Sequence, residues 1–518
     1  MQSISEKRAA FSQLILSAFA AIFCVCFSFI IISVIFSNKK SFFIAPAVIF
    51  IVLLNIAVLF LISRTVSQHE EFFKKHFRLI LFCSLSFFFI LNIIFGFMLR
   101  FNPEYDLAAI FKGAISWLEK GFFTGTLDET CNRNYFYFFP NNLGGLSFLY
   151  LIFKTASFFS ITDYFAVAMI VNASLATLAM LLTVIITRCL GSVRQSITAL
   201  LIILMFPPFY FIAPTFYTDS LSLIFPLLMI YLYLRYTDSC RGISKLFLAI
   251  LIAIVCAAGM LIKFTTIIAL IAIIIYHICT NRFRSLLPII ICSITIIFMA
   301  FSLFNNYFYS NHLRENRAEK LNTPYTHWVM MSLYKNGTYN RYDYAFTRSF
   351  DDPDERKAAV AQEIQERISE RGFGGMLELF YAKGSIAFGE PTLALSDFLD
   401  DNPQHETALH SFLLYKSVGY PIYHYFCSGI YFALLILMTV AATSFFTKNR
   451  SKKCILPLLC VFGIYLFLMV WEVSGRYVTN FVPFIIISAT FGLDVFTKKF
   501  IVLYNKAIKT ISTESEVS

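Results

Sequence analysis

The sequence predicts an all-α polytopic membrane protein with about twelve transmembrane helices. The chain has 518 residues, of which 58% are hydrophobic and only 14% are charged, and it contains 61 Phe. Soluble domains do not have this composition. The formal net charge of +11 fits Lys and Arg collected in the cytoplasmic loops of a membrane protein, so we expect no nucleic-acid partner.

Apolar stretches long enough for one crossing, about 20 residues each, recur along the chain. The predicted spans are 11–36, 41–63, 77–98, 163–187, 195–213, 217–235, 245–262, 264–281, 285–305, 422–446, 454–471 and 477–496. A further apolar stretch, 143–159, is shorter. If it crossed the bilayer, every later loop would change sides.

The distribution of Lys and Arg decides the orientation. With 143–159 not crossing, one set of loops holds most of the cations, and the opposite loops hold few apart from Lys39 and Lys40. We expect the cation-rich side and both termini to be cytoplasmic, in a multi-pass protein of the cell membrane. The stretch 143–159 then lies along the outer leaflet. The predicted division is a transmembrane core 1–305 with an outer catalytic loop 100–162, an extracytoplasmic domain 306–421, and C-terminal helices with a cytoplasmic tail 422–518.

The segment 306–421 is the only hydrophilic stretch long enough to fold outside the bilayer, and we expect it to be mainly helical. Asp352 followed by Pro353 is a typical helix start. His327, next to Trp328, also lies in this segment. That histidine is either a structural residue or a substrate contact.

An outer-surface amphipathic helix is predicted directly after the third span. Glu104 and Asp106 precede LAAIFKGAISWLEKG, in which apolar residues recur at helical spacing up to Gly121. Asp106 either caps this helix, because Asp is a preferred N-cap residue, or carries chemistry.

Further charged residues fall at short turns on the same predicted side. They are Asp219, two residues after Tyr217, then Lys263, and the pair Glu472 and Arg476. Such residues either mark helix ends that reach the interface or form a functional site. Cations there would suit a phosphate, and a carboxylate would suit a general base. The aromatic stretch 135–139 is either an interfacial anchor or a platform for a sugar or a prenyl tail.

In order and topology these features resemble the GT-C superfamily of integral membrane glycosyltransferases. Within that superfamily they resemble the family 39-like, protein-mannosyltransferase and aminoarabinose-transferase branch, in its bacterial form. The resemblance covers most of 77–305 and 454–496. Its motifs are Asp106 with the helix that closes on Gly121, FFPNNLGGLSFLYLIF, the Tyr-Thr-Asp219 turn, and Gly475-Arg476-Tyr477 before a last span that contains Pro483.

The resemblance implies an inverting transfer of sugar from a polyprenyl-phosphate donor to a glycan, lipid or protein acceptor outside the cell, with membrane lipid around the donor chain. Asp106 would be the general base, with Glu104 as the alternative because the motif is Glu-Tyr-Asp. Lys263 and Arg476 would bind the donor phosphate. The implied substrate contacts are Asp219, Tyr217, Glu472 and His327. The resemblance implies that no nucleotide is needed, and it leaves a divalent metal open as a cofactor, because some relatives use one.

Two other functions fit the same features. A flippase or transporter of lipid-linked sugars would use a basic groove without a general base, but the sequence has no inverted repeat. A polysaccharide polymerase or ligase of the envelope would also have about twelve spans and a large outer loop. It would recognise pyrophosphate through Arg and would not use an early carboxylate.

Overall fold

The computed structural model describes residues 2–36, 44–123, 134–240, 242–280, 283–400, 402–447 and 452–515. Helices are the regular secondary structure of these ranges, with one isolated antiparallel bridge between Phe101 and Pro403. Lys39, Lys40 and positions 124–133 of the predicted catalytic loop lie outside the described residues. The prediction of an all-α polytopic membrane protein is confirmed.

Thirteen α-helices occupy the described residues before position 312. They are α1 (Gln2–Phe36), α2 (Ala45–Gln68), α3 (Glu70–Met98), α4 (Tyr105–Lys120), α5 (Tyr135–Phe138), α6 (Leu143–Phe158), α7 (Tyr164–Leu190), α8 (Val193–Leu204), α9 (Thr218–Leu221), α10 (Ile224–Asp238), α11 (Gly242–Ile262), α12 (Ile267–Thr280) and α13 (Leu287–Asn311).

Nine α-helices occupy the rest of the described chain. They are α14 (Glu315–Leu321), α15 (Tyr325–Ser332), α16 (Arg341–Arg348), α17 (Pro353–Phe388), α18 (Ser396–Leu399), α19 (His410–Leu413), α20 (Tyr420–Thr443), α21 (Ile455–Val470) and α22 (Val482–Ser515). Short 3-10 helices are interspersed, at Pro140–Asn142, Pro207–Phe211, Phe264–Thr266, Phe283–Ser285, Ser444–Phe446, Lys452–Cys454 and Gly475–Phe481.

Ten helices of the described chain are long and apolar enough to cross a membrane, compared with the twelve spans predicted. The other two predicted spans, 195–213 and 264–281, form the shorter apolar helices Val193–Leu204 and Phe264–Thr280. At 1.5 Å per residue the first is only about 18 Å long. Its shortness has a local cause, because Pro207 and Pro208 cannot continue an α-helix and the chain continues there as a 3-10 helix.

The stretch 143–159 forms α6, which has 16 residues and is not among the ten long helices. It packs against α4 and α11. Gly144 permits the approach to α11, because a Cβ at that position would lie 1.7 Å from the carbonyl oxygen of Leu261. This packing brings the start of α6 beside the turn that contains Lys263.

The amphipathic helix predicted after the third span is α4, and Gly121 ends it in the left-handed conformation with φ of 79°. Its buried face includes Leu107, Ile110, Ala114 and Trp117. The helix thus packs into the protein along its length, and its first turn is held at a fixed position.

Within the 306–421 segment the longest helix is α17, which begins as predicted at Pro353. Asp352 caps it, accepting hydrogen bonds from the amides of Asp354 and Glu355. The helix continues to Phe388, with a kink at Gly372, where φ is +57°. It packs against α1, α15 and α21, so this segment contacts the membrane helices directly.

Candidate functional site

Five separated parts of the chain converge on one cluster of acids, cations and phenols. They are the first turn of α4, the α5–α6 junction, the turn before and within α9, and the two breaks after α11 and α21. Each break falls where a long apolar helix stops, so the polar side chains meet at the ends of helices.

The carboxylate of Asp106 accepts two hydrogen bonds from tyrosines. Tyr135 Oη donates to Oδ1 at 2.7 Å, and Tyr217 Oη donates to Oδ2 at 3.2 Å. Burial, and then the Asp106 carboxylate, raise the pKa of both phenols. Each phenol therefore keeps its proton at neutral pH and acts as a donor. Asp106 itself is half-buried.

Asp106 is not the N-cap of α4. Glu104 occupies that position and forms no side-chain cap hydrogen bond, while Asp106 lies inside the first turn. Between them Tyr105 has φ of 47°, a left-handed value that is uncommon for residues other than glycine. The chain therefore turns sharply at Tyr105, and the Asp106 carboxylate bonds the tyrosines instead of the helix end.

Asn142 extends the hydrogen-bond network around Asp106. Its Nδ2 donates to Tyr135 Oη at 2.5 Å, and its Oδ1 lies 3.4 Å from Tyr217 Oη. Asn142 is buried and is the last residue of the 3-10 helix before α6. Tyr135 thus receives one hydrogen bond and donates another, which fixes its phenol towards Asp106.

Asp219 lies between the two cations. Lys263 Nζ donates to Asp219 Oδ1 in a buried ion pair. Arg476 Nε lies 3.9 Å from Asp219 Oδ2, which is too long for a hydrogen bond. Only 13% of the Lys263 side chain and 8% of the Asp219 side chain are exposed. Lys263 therefore does not extend into water, as a residue that only marks a helix end would.

The guanidinium of Arg476 is surrounded by aromatic rings. Its central carbon lies 5.2 Å from the ring centre of Tyr217, 5.6 Å from that of Phe398 and 5.5 Å from that of Tyr477. Its buried Nε has no hydrogen-bond partner among the described residues, and neither has Asp219 Oδ2. An unpaired buried donor costs about 1–3 kcal/mol. An anionic oxygen placed at Arg476 would therefore be bound favourably.

Glu472 adds a third carboxylate to the cluster and is only 5% exposed. It accepts a hydrogen bond from Tyr477 Oη at 3.3 Å. Burial raises the pKa of Glu472 to about 7, against the opposing charge of Arg476. At neutral pH the group is therefore partly protonated, which lowers the negative charge near Arg476.

His327 is located elsewhere, inside the 306–421 segment. Its Nδ1 lies 2.6 Å from Thr347 Oγ1, and burial lowers its pKa to about 4, so the ring is neutral. The ring contacts Trp328. The contacts described for His327 are with its own segment and do not include Asp106, Asp219 or Arg476.

A divalent metal would require several oxygen or nitrogen ligands converging on one point. Among the residues that the structure describes, no group of three or more His, Cys, Asp and Glu side chains is arranged to hold a metal ion. Asp219 is instead engaged by Lys263. The residues described therefore do not fit a metal site.

Sequence reasoning thus identified Asp106, Tyr217, Asp219, Lys263, Glu472 and Arg476, which the structure brings together, but it missed Tyr135 and Asn142. The only sequence signal for those two was the aromatic stretch followed by Pro140-Asn-Asn142. That pattern is also typical of an interfacial anchor.

A protein-family model described as "Conserved hypothetical integral membrane protein" matches residues 7–496. No curated protein matches this sequence. Among solved structures, the chain is similar to the crystal structure of the Archaeoglobus fulgidus oligosaccharyltransferase in the apo form, with a TM-score of 0.47 and 12% identity, over 85% of this chain and 52% of that one. The chain spans about half the length of that enzyme, and at this score the similarity carries no argument about activity.

Proposed function

Because the chain belongs to the family described as conserved hypothetical integral membrane proteins, we propose that its charged cluster acts at a membrane surface. The reaction is the transfer of a sugar from a polyprenyl-phosphate donor to an acceptor hydroxyl of the cell envelope, on the extracytoplasmic side. The observation that carries this proposal is that two carboxylates of the cluster, Asp106 and Asp219, have different partners. Among the residues that the structure describes, the carboxylate of Asp106 is bound by phenols, while both cations lie at Asp219.

Asp106 is suited to act as the general base. The two phenols orient the carboxylate, and no Lys or Arg of the described residues forms an ion pair with it. Because Asp106 is only half-buried, an acceptor hydroxyl can reach it. Positioned proton transfer of this kind contributes about 10²- to 10⁴-fold to a rate.

Arg476 and Lys263 are suited to bind the donor phosphate. The unpaired Nε of Arg476 offers a hydrogen bond, and the surrounding aromatic rings hold the guanidinium in place. Lys263 Nζ lies 4.9 Å from the ring centre of Tyr477, so both cations share one aromatic wall. Fixed cations of this kind stabilise charge that develops on a leaving group.

In the proposed step the acceptor oxygen attacks the anomeric carbon as Asp106 takes the proton of the acceptor hydroxyl. The bond between that carbon and the phosphate oxygen breaks on the opposite side, and its electron pair leaves with the polyprenyl phosphate. Arg476 and Lys263 stabilise the additional negative charge. A single displacement inverts the configuration at the anomeric carbon, and Asp219 keeps Lys263 in position throughout.

The direct test uses the purified protein in lipid nanodiscs with polyprenyl-phosphate sugars that carry a radioactive sugar, together with a bacterial envelope extract. We expect label to enter the acceptor fraction as free polyprenyl phosphate is released in equal amount, with no transfer from nucleotide sugars. If no donor in a panel of common sugars yields either product, the proposal is wrong. Transbilayer movement of the intact donor in vesicles, without release of polyprenyl phosphate, would instead indicate a flippase.

A further inference from the structure

A second charged cavity lies outside the cluster, in the 306–421 segment where that segment meets α5. Its volume is about 130 Å³, so it admits a group larger than one water molecule. Three cations line it, Lys320, Arg348 and Arg356, together with one acid, Asp351, and the ring of Phe138. Three cations against one acid leave the wall with an excess of positive charge.

Arg348 is held in the cavity wall by aromatic rings. Its guanidinium carbon lies 3.3 Å from the ring centre of Phe138 and 4.3 Å from that of Tyr344. The buried Nη2 of Arg348 has no hydrogen-bond partner among the described residues. Ring contacts engage the faces of a guanidinium, whereas its N–H groups lie in the plane and bind oxyanions edge-on. The donor group of Arg348 is therefore fixed but unused.

Arg356 presents a second unused donor in the same wall. Its Nη1 donates to the carbonyl oxygen of Asn322 at 3.1 Å, and its Nη2 donates to that of Phe350 at 2.8 Å. These two bonds fix the guanidinium of Arg356, a residue that is only 7% exposed, while its buried Nε has no partner among the described residues. Neither backbone carbonyl carries a charge that could neutralise it. Two partly desolvated arginines with free N–H groups thus line one small cavity.

We propose that this cavity binds a small oxyanion, a phosphate or carboxylate group, through Arg348 and Arg356. Given the proposed glycosyl transfer, on which this part rests, the oxyanion is a group carried by the acceptor, and the acceptor is then an anionic envelope molecule. Carboxylates and phosphates are the ligands that arginine N–H groups recognise in pairs. The negative charge of Asp351, which also lines the cavity, repels the anion and lowers the affinity of the cavity for it.

The position of the cavity explains how such a group would serve the reaction. Phe138, which lines the cavity, lies three residues after Tyr135 in the single turn of α5, and Tyr135 donates to Asp106. The carbonyl oxygen of Phe138 also accepts a hydrogen bond from the amide of Thr323, at 3.3 Å. A residue of the cavity wall and the residue that orients the base therefore belong to the same single helical turn.

Binding is tested without any sugar transfer, so that failure of the proposed glycosyl transfer would leave this test intact. The purified full chain is titrated with inorganic phosphate at constant ionic strength, and the rise in Tm is measured relative to the same protein without phosphate. Arg348→Gln and Arg348→Lys should each weaken phosphate binding by about tenfold or more, because a hydrogen bond to a charged group is lost. Asp351→Asn should strengthen it.

Arg341→Gln is the matched control, because Arg341 is exposed at the other end of the same helix, α16, and the change removes the same charge. Phosphate binding that is absent in the wild type, or equally strong in the Arg348 and Arg341 variants, overturns the proposal. A second arm distinguishes the source of the anion. Competition between phosphate and an anionic acceptor, seen as a higher acceptor KM at unchanged kcat, assigns the site to the acceptor, whereas binding without competition assigns it to a free anion.

Discussion

The substitution Asp106→Asn tests the proposed base with the smallest change of shape. The amide has the size of the carboxylate, but it presents a single acceptor oxygen to two phenols, at 2.7 and 3.2 Å in the native chain. Its NH₂ group would face the second phenol as a donor. Exchanging charge-assisted hydrogen bonds for neutral ones costs about 1–2 kcal/mol of stability, and the amide cannot accept the acceptor proton. We therefore expect a small fall in Tm and a fall in kcat of about 10²- to 10⁴-fold.

The assay is release of polyprenyl phosphate and transfer of the labelled sugar, measured under single-turnover conditions so that product release does not mask the chemical step. Asp354→Asn is the control, since that acid is 91% exposed and lies in the first turn of α17. Glu104→Gln is assayed in parallel. Unchanged transfer by Asp106→Asn would refute the reasoning, and loss of transfer only in Glu104→Gln would assign the base to Glu104.

Three further substitutions test two residues of the site, Arg476 and Glu472, and one residue that supports the loop next to it, Lys383. Arg476→Lys keeps the charge but loses the planar donors, and should raise the donor KM by about tenfold; a change confined to acceptor use would contradict a phosphate-binding role. Lys383→Met removes hydrogen bonds to the carbonyl oxygens of Met469 and Trp471, at 3.0 and 2.8 Å. It should destabilise the protein by about 1–3 kcal/mol per orphaned carbonyl, whereas the Tm of Lys357→Met, an exposed control on the same helix, should be unchanged. Burial raises the pKa of Glu472 from 4.5 to about 7, so the stability from its bound proton is complete below pH 4.5 and is lost as the pH rises through 7. Glu472→Gln should therefore have a higher Tm than the wild type at pH 8 but not at pH 4.5, and a Tm difference that does not vary with pH would contradict this pKa.

The charged half of the site could be predicted because charge inside an apolar sequence is rare. Asp219, Lys263 and Arg476 each interrupt or border a long apolar run, and burying a charge is expensive unless a partner is present. The ion pair of Lys263 with Asp219 is the outcome that this rule requires. The charge map alone suggested that such residues meet, although it could not say which cation binds which acid.

Neutral hydrogen-bonding residues could not be assigned in the same way. Tyr135 is one of 27 tyrosines, and nothing in the local pattern separates it from an interfacial anchor. Its role depends on Gly144, which allows α6 to approach α11 closely, and on the packing of α4 against α6. Contacts between residues so far apart in the chain come from tertiary packing, as do the two unused arginine donors of the second cavity.

The two shorter helices show where counting apolar residues fails. Hydropathy does not register that Pro207 and Pro208 stop α8, or that the chain breaks at Lys263 between α11 and the 3-10 helix Phe264–Thr266. Such breaks release backbone groups from helical hydrogen bonds, and in a membrane protein they are tolerated where the chain is buried in protein or lines a cavity. The same breaks that shorten the predicted spans therefore place Tyr217, Asp219 and Lys263 in the cluster.

The loop after α21 connects the cluster to the 306–421 segment. Ser332 Oγ donates to the carbonyl oxygen of Val470 at 2.9 Å, and the amide of Val473 donates to that of Gly337 at 2.9 Å. Lys383 Nζ binds the two carbonyls on either side of Val470. Four hydrogen bonds from this segment thus hold the five residues Met469–Val473, which include Glu472 and end three residues before Arg476. Because carbonyls at the end of a helix have no partner within that helix, the loop after α21 depends on the 306–421 segment for its conformation. That segment is therefore part of the machinery that positions Arg476, and a change at Lys383 should affect donor binding as well as stability.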